Sequence, residues 1–212
     1  MSAKTEKLLS VLKLQPVVPV LIIDEVSQAV PLARALVAGG LKAIEITMRT
    51  PAALDAIRAV ANEVEGAVAG AGTILNARHF EQAVAAGSQF IVSPGSTRGL
   101  LDAARDSDIP LLPGAVTSSE IMALKEEGYD VLKFFPAEQA GGAGYIKSLA
   151  SPFAGTYFCP TGGISLKNAK DYLSLPNIVC VGGSWVAPKE LVASGDWAGI
   201  TRLAAEAFAL RG

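Results

Sequence analysis

A lysine interrupts an apolar run near the middle of the chain, where residues 131–137 read VLKFFPA. Lysine is almost never fully buried unless it is paired, so Lys133 needs a partner or a function. In another apolar stretch, EITMRT, the polar residues Glu45, Thr47 and Arg49 alternate and therefore share one face of a strand. A neutral lysine amine attacks carbonyl carbons to form Schiff bases. A nearby carboxylate can transfer the protons that this reaction moves.

A structural explanation of the same residues is a buried Glu45–Lys133 ion pair that satisfies itself. Buried ion pairs are weak evidence of stability, because apolar replacements often do as well. Arg49 adds a second cation, and two cations with one carboxylate suit an anionic substrate better than a closed structural unit. An apolar setting and the charge of Arg49 favour the neutral amine of Lys133, whereas Glu45 favours the ammonium.

The elements that must position these residues follow from a regular alternation of short apolar runs and helical patterns. The runs are VVPVLII (17–23), AIEIT (43–47), AVAGAGT (67–73), FIVSPG (90–95), PLLPGA (110–115), VLKFFPA (131–137), YFCPTGG (157–163) and IVCVGGS (178–184). Such alternation predicts a parallel sheet with helices outside it. Eight units favour an α/β fold of the closed (β/α)8 TIM barrel type. The alternative is an open doubly wound sheet, since 212 residues is short for a barrel.

The predicted barrel accounts for residues 1–212 as a single domain, because no linker or charge run divides the chain. Residues 1–15 are predicted to form an extra amphipathic N-terminal helix that covers the bottom of the barrel. Helix N-caps are predicted at Thr50, Asn76 and Ser165.

Strands two and six lie opposite each other in an eight-stranded barrel, and each interior layer draws on alternate strands. Glu45 and Lys133 are therefore predicted to face each other across the interior. Two glycine-rich segments, CPTGGIS and CVGGSW, end the seventh and eighth runs. Barrels commonly bind phosphate in these two loops, and backbone N–H groups can hold an anion without a basic side chain. We therefore predict a phosphate site there.

Composition excludes several classes of protein. The net charge of −2 and the absence of a basic run disfavour nucleic acid as a partner. No apolar run reaches the ~20 residues of a membrane span, and the N-terminus lacks the apolar region of a signal peptide. Cys159 and Cys180 lie in apolar runs as core thiols, which favours a reducing cytoplasm. The single histidine disfavours a zinc site, so no metal is expected.

With these residues assembled, the chain resembles the 2-dehydro-3-deoxy-phosphogluconate (KDPG) aldolase family over nearly its whole length. The matching segments are VVPV, EITMRT, GAGTILN, FIVSPG, PLLPGA, KFFPAE, FCPTGGIS and GGSW. The resemblance implies a cytoplasmic, homotrimeric class I aldolase on a (β/α)8 barrel, with no metal or other cofactor. Such an enzyme cleaves 2-dehydro-3-deoxy-6-phospho-D-gluconate to pyruvate and D-glyceraldehyde 3-phosphate in the Entner–Doudoroff pathway.

The resemblance also implies roles for individual residues. Lys133 would form the Schiff base and Glu45 would carry protons. The implied substrate-binding residues are Arg49 and Thr73 for the pyruvate carboxylate, Pro94, Phe135 and Thr161 beside the pyruvyl unit or hydroxyl chain, and Gly162, Gly163, Gly183 and Ser184 for the phosphate. The family pattern is departed from at Met48, Ser118 and Gln139, which bears on substrate preference and leaves the reaction type unchanged.

Other functions fit parts of the same pattern. A related 2-keto-acid aldolase would cleave 4-hydroxy-2-oxoglutarate to pyruvate and glyoxylate, or act on the phosphogalactonate epimer. A phosphosugar isomerase or epimerase would use Glu45 as a base without a covalent bond to Lys133. A non-catalytic phosphosugar-binding barrel would have little use for a buried nucleophile.

Overall fold

The computed structural model describes residues 2–210. Met1, the first residue of the predicted N-terminal helix, and residues 211–212, the last two of the predicted domain, lie outside the described residues. Strands and helices alternate along the chain between these limits, in the order that the apolar runs predict. None of the helices in this part of the chain is long and apolar enough to cross a membrane.

Eight strands and ten helices are assigned in residues 2–210. The strands are β1 (Val17–Leu21), β2 (Ala43–Thr47), β3 (Val68–Gly72), β4 (Phe90–Val92), β5 (Leu111–Leu112), β6 (Val131–Phe134), β7 (Tyr157–Pro160) and β8 (Val181–Gly183). The helices are α1 (Ala3–Leu12), α2 (Val26–Ala38), α3 (Ala53–Glu63), α4 (Ala77–Ala85), α5 (Arg98–Arg105), α6 (Ser118–Glu126), α7 (Gly142–Leu149), α8 (Ala169–Leu173), α9 (Lys189–Ser194) and α10 (Trp197–Phe208).

The strands pair in parallel in two groups. Six of them form one sheet in the order β5-β4-β3-β2-β1-β8, and β6 pairs with β7. Isolated parallel bridges continue the pairing on both sides of the two-stranded group: Gly114 with Lys133, Phe158 with Ile178, and Thr161 with Gly182. The predicted α/β fold with a parallel sheet is therefore confirmed.

Several strands are shorter than the apolar runs that predict them. The run at 110–115 gives only Leu111–Leu112, and the run at 90–95 gives only Phe90–Val92. Proline and glycine follow β5 directly and follow β4 after Ser93, and proline has no N–H for a strand ladder. The carbonyl of Pro113 still accepts a hydrogen bond of 2.8 Å from the amide of Lys133. The chain thus keeps its contact with β6 while the regular strand ends.

Alternate residues of each strand pack on opposite faces, as the two-residue period of a strand requires. In β2, Ile44 and Ile46 belong to the large apolar cluster shared with the helices. Ala43 belongs to a smaller cluster that also holds Leu8 and Leu12 of α1. Glu45 lies on the same face as Ala43, two residues nearer the carboxyl end of β2. This face carries the polar residues at the carboxyl ends of the strands.

The helix caps agree with the sequence in one case of three. Asn76 caps α4, since its side chain accepts a hydrogen bond of 2.9 Å from the amide of His79. The predicted cap at Thr50 is wrong, because its hydroxyl donates to the carbonyl of Ile23 and α3 begins later. The predicted cap at Ser165 is also wrong: α8 is preceded by Asn168, whose side chain accepts from the amide of Ser165.

Candidate active site

Lys133 and Glu45 meet in the interior of the protein. They come from the middle of β6 and β2, and their side chains are each only 4% exposed. The Nζ atom of Lys133 lies 3.3 Å from Oε1 of Glu45. The predicted approach of these two residues across the interior is therefore seen in the structure. A lysine amine and a carboxylate are thus held together where little water reaches them.

The backbone of Lys133 is fixed on its β5 side by two hydrogen bonds. Its amide donates to the carbonyl of Pro113 at 2.8 Å, and its carbonyl accepts from the amide of Ala115 at 2.9 Å. On its other side, Lys133 is in register with Cys159 of β7. These contacts limit the movement of the Lys133 main chain and leave the reach of its side chain to its rotamers.

Gly72, the last residue of β3, makes room for the carboxylate. A Cβ atom at this position would overlap Oε1 of Glu45. Any larger residue would force Glu45 away from its present position beside Lys133. Gly72 lies in the segment GAGTILN and was not predicted to have a role, although a glycine inside a strand is a known sign of close approach by another group.

Arg49 and Thr73 lie together just beyond the ends of β2 and β3. Nε of Arg49 donates a hydrogen bond of 2.9 Å to the hydroxyl of Thr73. Thr73 has a φ angle of 57°, a left-handed conformation that β-branched residues rarely adopt. Such strained residues concentrate at functional sites. The structure thus joins a cation and a hydroxyl, which together suit a carboxylate, at the rim of the interior.

Phe135 and Pro94 border the lysine. The Nζ atom of Lys133 lies 5.4 Å from the ring centroid of Phe135, which directly follows β6. Pro94 follows β4, and its carbonyl packs so closely on Gly114 that a Cβ at Gly114 would overlap it. Gly114 in turn bridges to Lys133. Both predicted wall residues are half-buried and close to the β6 segment that carries the lysine.

The two glycine-rich segments lie side by side. Thr161, which is 7% exposed, bridges to Gly182, so the end of β7 adjoins the end of β8. Gly162 and Gly163 have φ angles of 102° and 75°, left-handed values that favour glycine. Gly183 ends β8 and is followed by the exposed Ser184. The four residues predicted to bind phosphate therefore belong to two adjacent turns.

Two buried groups near the site have raised pKa values. The pKa of the Cys180 thiol is raised well above its ordinary value by its hydrogen bond with Cys159 and by burial. Their Sγ atoms are 3.4 Å apart. Burial, together with a hydrogen bond to Glu138, raises the pKa of the Tyr172 phenol. The contact between Glu138 and Tyr172 was not predicted from the sequence. In residues 2–210, no three His, Cys, Asp or Glu side chains cluster as metal ligands.

Comparisons with known proteins agree with this geometry. The model of the KDPG and KHG aldolase family matches residues 8–203. The chain is 53% identical to a 2-dehydro-3-deoxy-phosphogluconate aldolase of Pseudoalteromonas atlantica over 92% of its length and 90% of the relative's. It is 49% identical to a KHG/KDPG aldolase of Escherichia coli K12, over 93% of each chain.

Solved structures give the same result. The chain superposes on the KDPG aldolase of Legionella pneumophila with a TM-score of 0.92 at 44% identity, covering 94% of this chain and 97% of the other. That structure holds pyruvate captured at low pH as a covalent carbinolamine intermediate. A Zymomonas mobilis aldolase with 3-phosphoglycerate gives 0.90 at 50% identity, covering 95% of each chain. With a family model that spans most of its length and relatives near half identity, the chain belongs to the KDPG and KHG aldolase family.

Proposed function

We propose that this protein is a class I aldolase that cleaves 2-dehydro-3-deoxy-6-phospho-D-gluconate to pyruvate and D-glyceraldehyde 3-phosphate. The observation that carries the proposal is the buried contact of 3.3 Å between Nζ of Lys133 and Oε1 of Glu45. A covalent carbinolamine of pyruvate in the Legionella pneumophila relative supports the same chemistry. The Entner–Doudoroff pathway is where this reaction belongs.

In the proposed reaction, the amine of Lys133 attacks the C2 keto carbon of the substrate and forms a carbinolamine. Loss of water gives an iminium, which acts as the electron sink. Removal of the C4 hydroxyl proton then breaks the C3–C4 bond, releases D-glyceraldehyde 3-phosphate and leaves an enamine on Lys133. Protonation at C3 gives the pyruvate iminium, which water hydrolyses to pyruvate and free lysine. Glu45 accepts and returns protons, directly or through a water molecule.

The remaining residues bind the substrate along its length. Arg49 and Thr73 hold the carboxylate, supported by their mutual hydrogen bond at the rim. Pro94 and Phe135 wall the pyruvyl unit, and Thr161 lies beside the hydroxyl chain. The phosphate is held by the two adjacent glycine-rich turns, through Gly162, Gly163, Gly183 and Ser184. No metal and no other cofactor takes part.

We also propose that the eight strands form one closed (β/α)8 barrel in a single domain, with the N-terminal helix covering its bottom. The isolated bridges on both sides of the β6–β7 pair support closure. The burial of Leu8 and Leu12 of α1 in one cluster with Phe90 and Val131 supports the covering role.

The protein is proposed to act in the cytoplasm as a homotrimer. Sedimentation velocity tests the trimer, and the mass of a single chain would contradict it.

Trapping with borohydride tests the covalent step. Incubation with pyruvate and borohydride should reduce the Schiff base to a stable adduct, which peptide mass analysis should find on Lys133. Lys133→Ala should form no adduct and should lose cleavage activity while remaining folded. Lys147→Ala, a change at an exposed lysine of α7, should trap pyruvate as the unchanged protein does. Absence of an adduct on any lysine of the folded protein would contradict the proposal.

A second candidate substrate is 4-hydroxy-2-oxoglutarate, which gives pyruvate and glyoxylate. The relationship to a KHG/KDPG aldolase of Escherichia coli favours it. The same Lys133 chemistry serves both substrates, so specificity constants for the phosphogluconate substrate, its galactonate epimer and 4-hydroxy-2-oxoglutarate should be compared. Preference for the first would support the proposal as stated, and preference for either of the others would replace its substrate.

A further inference from the structure

The turn at Thr161–Gly163 is in direct contact with Glu138, a residue outside the catalytic scheme. A Cβ atom placed on Gly163 would lie 2.6 Å from Cγ and 2.7 Å from Cβ of Glu138. The aliphatic part of the glutamate therefore packs on the glycine backbone without a gap. The backbone amide of Glu138 also donates a hydrogen bond of 3.1 Å to the carbonyl of Gly162. Glu138 thus supports the turn through both its side chain and its main chain.

The carboxylate of Glu138 is tied to the core by Tyr172. The hydroxyl of Tyr172, in α8, donates a hydrogen bond to Oε1 of Glu138. Tyr172 is only 1% exposed, so its ring is fixed by packing. Burial and this hydrogen bond raise the pKa of the phenol, which keeps it a donor at neutral pH. The backbone of Gly142 closes over the pair, since a Cβ there would lie 3.5 Å from Oε1 and 3.6 Å from the hydroxyl.

All three carbonyls of the turn accept hydrogen bonds from outside it. The carbonyl of Thr161 accepts from the amide of Ala137 at 2.8 Å. The carbonyl of Gly162 accepts from the amide of Glu138, and that of Gly163 accepts from Nδ2 of Asn168 at 3.2 Å. In a trans peptide the N–H points away from the C=O of the same unit. Fixing the carbonyls therefore turns the N–H groups that follow them toward the opposite side, the arrangement of an anion-binding nest.

We propose that Glu138 and Tyr172 are positioning residues for the phosphate subsite. By holding the carbonyl side of the turn, the pair presents its N–H groups to the phosphate before the substrate arrives. The inference rests on the proposed phosphate role of Gly162 and Gly163. It adds two residues, 34 positions apart in the chain, that touch no part of the substrate and act through the backbone between them.

The test compares phosphate binding with the chemistry at Lys133. Tyr172→Phe and Glu138→Ala should each raise the KM for the phosphorylated substrate by about tenfold, the effect of losing one hydrogen bond to a charged group. Inorganic phosphate, titrated by NMR, should bind more weakly by a similar factor. Trapping of unphosphorylated pyruvate and exchange of its methyl protons should stay within about twofold of the unchanged protein, because a local loss of phosphate contacts leaves Lys133 and Glu45 in place.

Two further variants sharpen the comparison. Glu138→Gln keeps the aliphatic stem and an oxygen that accepts from Tyr172, so it should restore most of the phosphate affinity lost in Glu138→Ala. Tyr145→Phe, a tyrosine of α7 whose ring packs on Phe134, should change neither measurement. An unchanged KM and phosphate affinity in both Tyr172→Phe and Glu138→Ala would overturn the inference. An equal loss of pyruvate trapping would overturn it as well, since the pair would then support the fold generally.

Failure of the proposed function gives a different result. If the unchanged protein traps no pyruvate on Lys133, the aldolase proposal fails while the phosphate titration still measures the effect of the pair. If pyruvate is trapped normally but the unchanged protein does not bind inorganic phosphate at the turn, the phosphate subsite fails and the inference fails with it.

Discussion

At the scale of single residues, the structure explains why a lysine is found in an apolar strand. Lys133 is compensated by Glu45, and the two side chains are equally buried. Removing one member of such a pair leaves the other charge buried alone, at a cost of about 3–5 kcal/mol. Apolar residues of similar volume often stabilise an interior as well as a buried ion pair does, so the pair is not explained by stability alone.

Glu45→Gln should separate proton transfer from Schiff-base formation. Glutamine has the same shape as glutamate and can still contact Lys133, but it cannot shuttle protons. The exchange of pyruvate methyl protons with deuterium, followed by NMR, should slow by about 10²-fold or more, the usual contribution of a general base. Borohydride trapping on Lys133 should persist. Glu63→Gln, at the far end of α3, is the matched control, and an unchanged exchange rate in Glu45→Gln would assign the proton carrier to another group.

Some residues of the site could be predicted from the sequence and others could not. The approach of Lys133 and Glu45 was predicted from the alternation of side chains along a strand and from the expected placement of strands two and six in a barrel. The Tyr172 hydrogen bond to Glu138 has no such signal. It joins a helix and a loop that are 34 positions apart in the chain, and no local pattern links two residues at that separation.

At the scale of elements, strand ends and the turns after them hold the residues of the candidate site, and glycines control how closely these segments approach. The strand assignment follows the apolar pattern closely in β2, which matches its run at 43–47, and less closely where proline ends the ladder in β5. Helix starts were less predictable. Thr50 has the right residue type for a cap, but the carbonyl of Ile23 competes for its hydroxyl, and only the tertiary structure supplies that partner.

Gly72→Ala should impair the reaction through the position of Glu45. The added methyl group would overlap Oε1 of Glu45, so the carboxylate must shift. Displacement of a catalytic group by about 1 Å can cost on the order of 100-fold, and we expect kcat and methyl-proton exchange to fall by about 10- to 100-fold. A coupled pyruvate assay measures the first, and NMR the second.

A glycine in an open position provides the control for Gly72→Ala. Gly99 lies in α5, and a Cβ there would meet nothing within 4 Å. Gly99→Ala should leave kcat unchanged and raise the free energy of unfolding by about 0.5–1 kcal/mol, because alanine is the better helix former. Equal activity in the two variants would show that Glu45 does not depend on the space at Gly72.

The capping box of α6 should make part of the stability depend on pH. Amides of Thr117 and Val116 donate hydrogen bonds to the Glu120 carboxylate and lower the pKa of Glu120. A carboxyl whose pKa is lower in the folded state stabilises the fold fully above its unfolded-state pKa, and this stabilisation is lost as the pH falls through the folded value. Glu120→Gln should therefore be less stable than the unchanged protein at neutral pH, and the difference should shrink in acid.

Urea unfolding at neutral and acid pH measures that difference. Thr117→Ala removes the other half of the box and should cost about 1 kcal/mol. Glu126→Gln, at the end of the same helix, serves as the control, since it lies outside the box. A constant gap between Glu120→Gln and the unchanged protein across the pH range would contradict the role of the Glu120 charge.

At the scale of the whole molecule, parallel strands bring residues from distant parts of the chain to one end of the fold. Glu45, Thr73, Lys133 and Thr161 each come from a different strand or the turn after it. The sequence predicted the eight runs because each is a local apolar pattern. It could not predict that regular pairing divides into six strands and two, since that depends on short bridges such as Gly114 with Lys133.

The interior beneath the site should open only when the whole molecule unfolds, and its two thiols can report this. Cys159 and Cys180 are 3% and 0% exposed, and the pKa of Cys180 is raised by the Cys159 hydrogen bond and by burial. Since the thiolate is the reactive form, iodoacetamide at pH 8 should label neither cysteine in the native protein. Both should react once guanidinium unfolds it.

The denaturant dependence of labelling separates global from local opening. The labelling rate, followed by mass spectrometry over increasing guanidinium concentration, should rise along the same curve as the loss of helical circular dichroism. Cys159→Ala leaves Cys180 as one buried thiol and should preserve the coincidence of the two curves at a lower stability, because it creates a cavity in the interior cluster. Rapid labelling of Cys180 in the unchanged native protein would instead show that the strands beneath Lys133 separate while the rest of the fold persists.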